Sequence, residues 1–160
     1  MAATSSAVTE SSDRELVITR IFDAPRSLVF KTWIKPEHLA RWWGPRGFDL
    51  VSCDLDARTG GSYRFHMRGP DGSDHWPQGM FREVAEPERL IMTWNWADAQ
   101  GRPKNLETIL TVTFEDLNGQ TKLTLHHRGF ESVTARDAHH NGWSSSLDCL
   151  SEYLLDAARS

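Results

Sequence analysis

The sequence predicts an α+β fold: a curved seven-stranded antiparallel sheet wrapped around one long C-terminal helix, with two short helices after the first strand. Three observations predict it. About six strand-like segments follow one another between residues 47 and 129, each bounded by turn residues. One helical pattern closes the chain, with Trp143, Leu147, Leu150, Leu154 and Ala157 spaced 4, 3, 4 and 3 residues apart. Ahead of the strands stand a lone β-branched run and two short helical segments. One helix cannot fill the concave side of such a sheet, so an internal hydrophobic cavity is expected between them. The short helices would close one end of it.

Residues 1–13 hold Ala, Ser, Thr and acidic side chains without periodicity and read as a disordered tail ahead of a single domain over 14–158. Glu15 to Phe22 forms the first strand. Pro25 follows at the first helical position, where its missing N–H costs nothing. Val29 and Trp33 share one helix face, and Phe30 and Ile34 an adjacent one. Pro36 stops that helix and opens a second over 36–43, closed by Gly44-Pro45. Strands are expected near 47–56, 61–68, 75–85, 89–97, 106–117 and 120–129. Asn118-Gly119 is the strongest hairpin signal, because both central positions of a type I′ turn need positive φ. Leu110, Val112 and Phe114 alternate with Thr111, Thr113 and Glu115. Leu123 and Leu125 alternate with Lys122, Thr124 and His126, so the sheet has one wet and one dry face. The covering helix opens on Thr134-x-x-Asp137, similar to a capping box. Gly142 lies inside it at a cost of about 1 kcal/mol relative to Ala, which a close approach to the sheet or to a ligand would offset.

Composition excludes several classes. The chain has 160 residues and a formal net charge of −4, which argues against a phosphate-neutralising surface and so against nucleic acid. No apolar run of roughly 18 residues exists to span a membrane. The first residues lack the basic and apolar regions of a secretory signal, and a cytoplasmic location is expected. Cys53 and Cys149 are too few for a disulfide framework or a thiolate zinc site. His126-His127 and His139-His140 look like metal pairs, but neighbouring side chains diverge on a strand and on a helix alike. No metal and no cofactor are expected. Gly60-Gly61 precedes a strand, so it lacks the context of a phosphate loop.

Seven Trp, seven Phe and two Tyr carry the functional signal, either as core packing or as the lining of a ligand cavity. Trp94 and Trp96 share parity with Leu90 and Met92; Tyr63, Phe65 and Met67 share a face on another strand. Trp42-Trp43 stand where a cavity mouth would be. His127 shares parity with Leu123 and Leu125 and points inward, while His139 and His140 precede Trp143 by four and three residues. Such a histidine either orients a ligand or is a satisfied core group. The candidate ligand-binding set is therefore Trp33, Trp42, Tyr63, Phe65, Met67, Met92, Trp94, Trp96, Val112, Leu125, His127, His140, Trp143 and Leu147. No catalytic residue is assigned: no GxSxG stands in the sequence, and Ser144-Ser145-Ser146 falls within a helix. Arg82 and Glu83 have opposite parity, so one of them is expected to face the concave side.

Larger motifs carry a resemblance. Thr19-Arg20-Ile21-Phe22-Asp23-Ala24-Pro25, Val29-Phe30 and Trp33 are followed by Pro36-Glu37, Leu39 and Trp42-Trp43-Gly44-Pro45. Gly60-Gly61-Ser62-Tyr63-Arg64-Phe65, the run Glu86 to Trp94, and His140-x-Gly142-Trp143 with Leu147 complete the pattern. Over 14–157 the chain resembles homologues of the heat-shock-protein-90 ATPase activator, within the START-like (SRPBCC, birch-pollen-allergen) superfamily. The resemblance implies the helix-grip fold and a deep, mostly hydrophobic pocket. Members of that superfamily bind lipids, sterols, polyketides and plant hormones, and a minority are cyclases or hydrolases. Three readings follow. The first is a carrier or sensor of a small hydrophobic molecule, as monomer or homodimer. The second is an enzyme of the same fold, using a polar cluster of His66, Glu83 or His127. The third is a chaperone-regulating interaction module with a place in the stress response. It ranks last, because eukaryotic activators add an N-terminal domain that is not expected before residue 14.

Overall fold

The computed structural model describes residues 13–159. All but the last residue of the tail expected over 1–13 lies outside them. β1 (Glu15–Phe22) turns Leu16, Ile18 and Phe22 to the core and Val17, Thr19 and Ile21 to solvent, the period-2 pattern of a half-covered strand. Two short helices follow, α1 (Arg26–Ile34) and α2 (Pro36–Trp42). Pro25 is the N-cap of α1 rather than its first helical residue, since its ψ of 147° is extended. Its carbonyl accepts from the N–H groups of Leu28 and Val29. Helix α2 ends one residue early, at Trp42. Trp43 leaves it in an extended conformation, φ −61° and ψ 134°.

Six further strands complete the sheet: β2 (Asp49–Leu55), β3 (Ser62–Arg68), β4 (Asp74–Ala85), β5 (Arg89–Ala97), β6 (Thr108–Leu117) and β7 (Gln120–Arg128). All pairs are antiparallel, in the order β1-β7-β6-β5-β4-β3-β2. The β6–β7 turn has Asn118 at φ 52° and Gly119 at φ 91°, as a type I′ turn requires. Helix α3 (Val133–Arg159) packs across the concave face. This is the seven-stranded α+β architecture that the sequence predicts.

Two local expectations are corrected. The cap of α3 is Ser132, not Thr134: its hydroxyl accepts the Ala135 N–H at 3.0 Å, where an N-cap meets the third helical residue. On β4 the pairing register shifts between Phe81 and Glu83, a bulge that breaks the parity argument. Phe81 is buried, Arg82 is exposed, and Glu83 forms an ion pair with Arg89 at 2.6 Å. Neither Arg82 nor Glu83 faces the concave side. Both charges stay in water, where burial costs them nothing.

The core fills the space under α1 and along α3. Phe30, Phe114, Leu110, Leu123, Leu125, Leu147 and Leu150 are fully buried, and the Phe30 and Phe114 rings meet edge to face at 5.1 Å. Ala157, the last residue of the expected stripe, is only partly covered. No described helix is long and apolar enough to cross a membrane.

Candidate functional site: a cavity between sheet and helix

A cavity of about 400 Å³ lies between the sheet and α3, within the size range of small-molecule sites. The sheet contributes Met67 on β3, His75 on β4, and Trp94 and Trp96 on β5. Helix α3 contributes Ala138, His139, Gly142, Trp143 and Ser146, residues three and four apart and therefore on one face. The segment after α2 adds Trp43, Gly44, Pro45 and Phe48. Gly44 adopts φ 97°, a conformation other residues rarely take, and turns the chain around the cavity end.

Small residues on α3 keep the space open. A Cβ added at Gly142 would meet only Pro45 Cγ, at an ordinary 3.8 Å. Of the two approaches expected at Gly142, that of helix to sheet is not made: the position faces the loop after α2 and the cavity. Gly142→Ala should accordingly stabilise the protein by about 0.5–1 kcal/mol, measured as a raised urea midpoint, because no backbone or packing constraint demands glycine there.

The two inner histidines are each held in one tautomer. The Trp143 indole N–H donates to His127 Nδ1 at 3.1 Å. Thr108 Oγ1 lies 2.7 Å from His127 Nε2 and donates its only proton to the Trp94 carbonyl at 2.8 Å. His127 must therefore donate from Nε2 and accept at Nδ1. Burial holds its pKa well below the ordinary histidine range, helped by His139 and His126 nearby. His139 accepts the Trp96 indole N–H at Nε2, 2.8 Å away, and its Nδ1 meets the Ala135 carbonyl at 2.8 Å. Burial lowers its pKa as well.

Of the sequence-predicted set, Met67, Trp94, Trp96 and Trp143 stand in the cavity wall. The others do not. His140 is exposed, because one helical residue turns it about 100° from His139, which takes the place expected of it. His127 is a satisfied core histidine behind Trp94 and Trp143. Trp33 and Trp42 are buried behind the wall residues Trp43 and Trp143, where Trp33 stacks on Trp143 at 6.0 Å and Trp42 donates to the Thr32 carbonyl at 2.9 Å. Tyr63 and Phe65 pack against each other, with the Tyr63 hydroxyl donating to the Thr93 carbonyl. Met92, Val112, Leu125 and Leu147 are buried core residues, and the first helix, α1, lies over β6 and β7, which carry Val112 and Leu125. Trp43, Gly44, Pro45, Phe48, His75, Ala138, His139, Gly142 and Ser146 complete the wall.

The polar cluster of the enzyme reading is not assembled. His66 pairs with Asp74 at 2.9 Å and stacks on Trp76, Glu83 pairs with Arg89, and His127 is interior. The adjacent histidines separate likewise, His126 towards Glu15 at 3.3 Å and His127 inward. Among the described residues no three His, Cys, Asp or Glu side chains come together as a metal site would require. Burial raises both free thiols, Cys53 to about 11, which keeps them protonated at neutral pH.

A curved antiparallel sheet closed over one long helix, with an aromatic-walled cavity between, defines a helix-grip protein of the SRPBCC type. The family of Activator of Hsp90 ATPase homolog 1-like proteins matches residues 23–155, and this chain belongs to it. Solved structures agree. The AHSA1 protein of Silicibacter pomeroyi is 26% identical with a TM-score of 0.80, over 88% of this chain and 97% of that one. A protein of Arthrobacter aurescens is 26% identical with a TM-score of 0.78, over 91% and 88% respectively. One of Nitrosomonas europaea, at 24% identity and a TM-score of 0.78 over 93% and 99%, shares the fold. No curated protein matches the chain.

Proposed function

We propose that this protein is a cytoplasmic carrier or sensor that encloses one small apolar or aromatic molecule between its sheet and α3. The cavity carries the reading. Four indoles, Trp43, Trp94, Trp96 and Trp143, wall it, while Ala138 and Gly142 stand on the helix where larger side chains would fill it. Unfilled space in a core costs stability, so a face of small residues beside bulky aromatic walls favours an occupant.

Native mass spectrometry of protein purified from its own host, followed by denaturing extraction, tests this directly. A stoichiometric apolar molecule is the expected result, and Gly142→Leu, which adds a side chain to the wall, should lose it without losing stability. An empty protein that also ignores a broad hydrophobic library would overturn the reading and turn attention to a chaperone partner. Release of a chemically altered molecule would favour an enzyme instead.

A further inference from the structure

The β3–β4 hairpin links three polar side chains in a fixed order, and the last of them, His75, lines the cavity. Ser73 Oγ lies 2.6 Å from Asp71 Oδ1 and 2.9 Å from His75 Nε2, and the Ser73 N–H also donates to Asp71 Oδ1 at 3.0 Å. Those two bonds from Ser73 hold the Asp71 carboxyl below its usual pKa, so it is ionised at neutral pH. An ionised carboxylate can only accept, so the single hydroxyl proton of Ser73 goes to Asp71. Ser73 Oγ then accepts from His75, which must carry its proton on Nε2. The remaining ring nitrogen, Nδ1, is left with a lone pair and no hydrogen-bond partner among the described residues. Packing fixes the arrangement. A Cβ on Gly69 would come within 3.0 Å of both Asp71 Oδ1 and Ser73 Oγ and 3.3 Å of Phe48, so glycine is what lets the pair fold down beside Phe48.

His75 is unlike the other polar groups near the cavity. The acceptor nitrogen of His139 is capped by Trp96 and that of His127 by Trp143. Ser146 donates to the Gly142 carbonyl and is almost wholly buried. The Trp43 and Trp94 N–H groups have no partner but are buried without accessible surface. The His75 ring, by contrast, lines the cavity between Phe48 at 5.8 Å and Trp96 at 6.2 Å.

We propose that His75 Nδ1 is the acceptor that anchors the bound molecule, making the cavity selective for an aromatic body bearing a hydroxyl donor, a phenol. The proposal rests on the carrier reading and names the ligand class of that same site. One ligand hydroxyl donates to Nδ1, and the rings of Phe48, Trp96 and Trp143 take the apolar remainder.

The full chain titrated calorimetrically with 2-naphthol, 2-methoxynaphthalene and naphthalene decides it. A purely apolar wall binds the methyl ether more tightly than the phenol, because the ether is the more apolar of the two. The anchor reverses that order: 2-naphthol should bind about fivefold tighter than its ether, the worth of one net hydrogen bond. His75→Leu should restore the apolar order, with naphthalene still bound and an unchanged far-ultraviolet circular dichroism spectrum reporting that the variant is folded. In the wild type, the 15N resonance of His75 Nδ1 should move upfield with 2-naphthol and stay in place with naphthalene, a reading independent of any variant. If all three compounds bind but the wild type favours the ether, or the phenol preference survives His75→Leu, the anchor is wrong and the cavity reading stands. If none of the three binds the wild type, the anchor as stated is wrong, and the cavity reading is decided by the host-purified protein and the broad hydrophobic library.

Discussion

Replacing Trp143 by alanine should destabilise the protein by about 3–5 kcal/mol, seen as a lower urea midpoint with an unchanged slope. The side chain borders the cavity yet is only 5% exposed. Its ring lies 5.3 Å from that of Trp94, 5.6 Å from Trp43 and 6.0 Å from Trp33, so truncation removes packing on three sides. It also strips His127 Nδ1 of its donor among the described residues, leaving a buried acceptor unpaired at about 1–3 kcal/mol. Trp143→Phe separates the two contributions, since it keeps most of the ring contact and loses the hydrogen bond. A loss under about 1 kcal/mol for the alanine variant would show that the ring rests loosely in the cavity instead of holding it together.

Acid is expected to weaken the fold well before the carboxylates titrate. His127 and His139 are held neutral by burial, with folded pKa values below the ordinary range, whereas in the unfolded chain each takes up a proton near pH 6.5. Below that pH the unfolded state binds more protons, so stability falls as pH falls. His127 alone accounts for a loss approaching about 1.4 kcal/mol between about pH 7.5 and about pH 5.5, and His139 adds to it. The lowered carboxyls Asp71, Asp74, Asp98 and Glu152 all ionise at more acid pH and leave this window to the histidines. Urea midpoints across the window measure the slope, and His127→Gln should flatten it. Stability that stays level or climbs as pH falls would mean that the imidazoles are protonated where they stand.

Alternation along β6 and β7 and the Asn118-Gly119 turn made the sheet legible, because period-2 burial and positive φ are written in residue types. Depth was not. Parity assigns Met92, Val112 and Leu125 to the same face as Trp94, but it cannot say that α1 covers β6 and β7 while β3 to β5 border open space. Helical phase had the same ambiguity at His139 and His140, since residues three and four before Trp143 both fall near its stripe. The bulge at Arg82 depends on pairing with β5 and leaves no mark in the local sequence. Two signals were present nonetheless. Ala138, Gly142 and Ser146, spaced by four, trace a small-residue track beside Trp143, and His75 shares parity with the buried Pro77 and Phe81.

Six of the seven tryptophans form one contiguous body: Trp33, Trp42, Trp43, Trp94, Trp96 and Trp143 are linked by ring separations of 5.0 to 6.1 Å. Trp76 alone stands elsewhere, stacked on His66. At such spacing, excitation absorbed by any one indole migrates to its neighbours before it is emitted. The group therefore behaves optically as a single antenna with a coupled near-ultraviolet dichroism, and a quencher seated against any one of its rings darkens the light of all six.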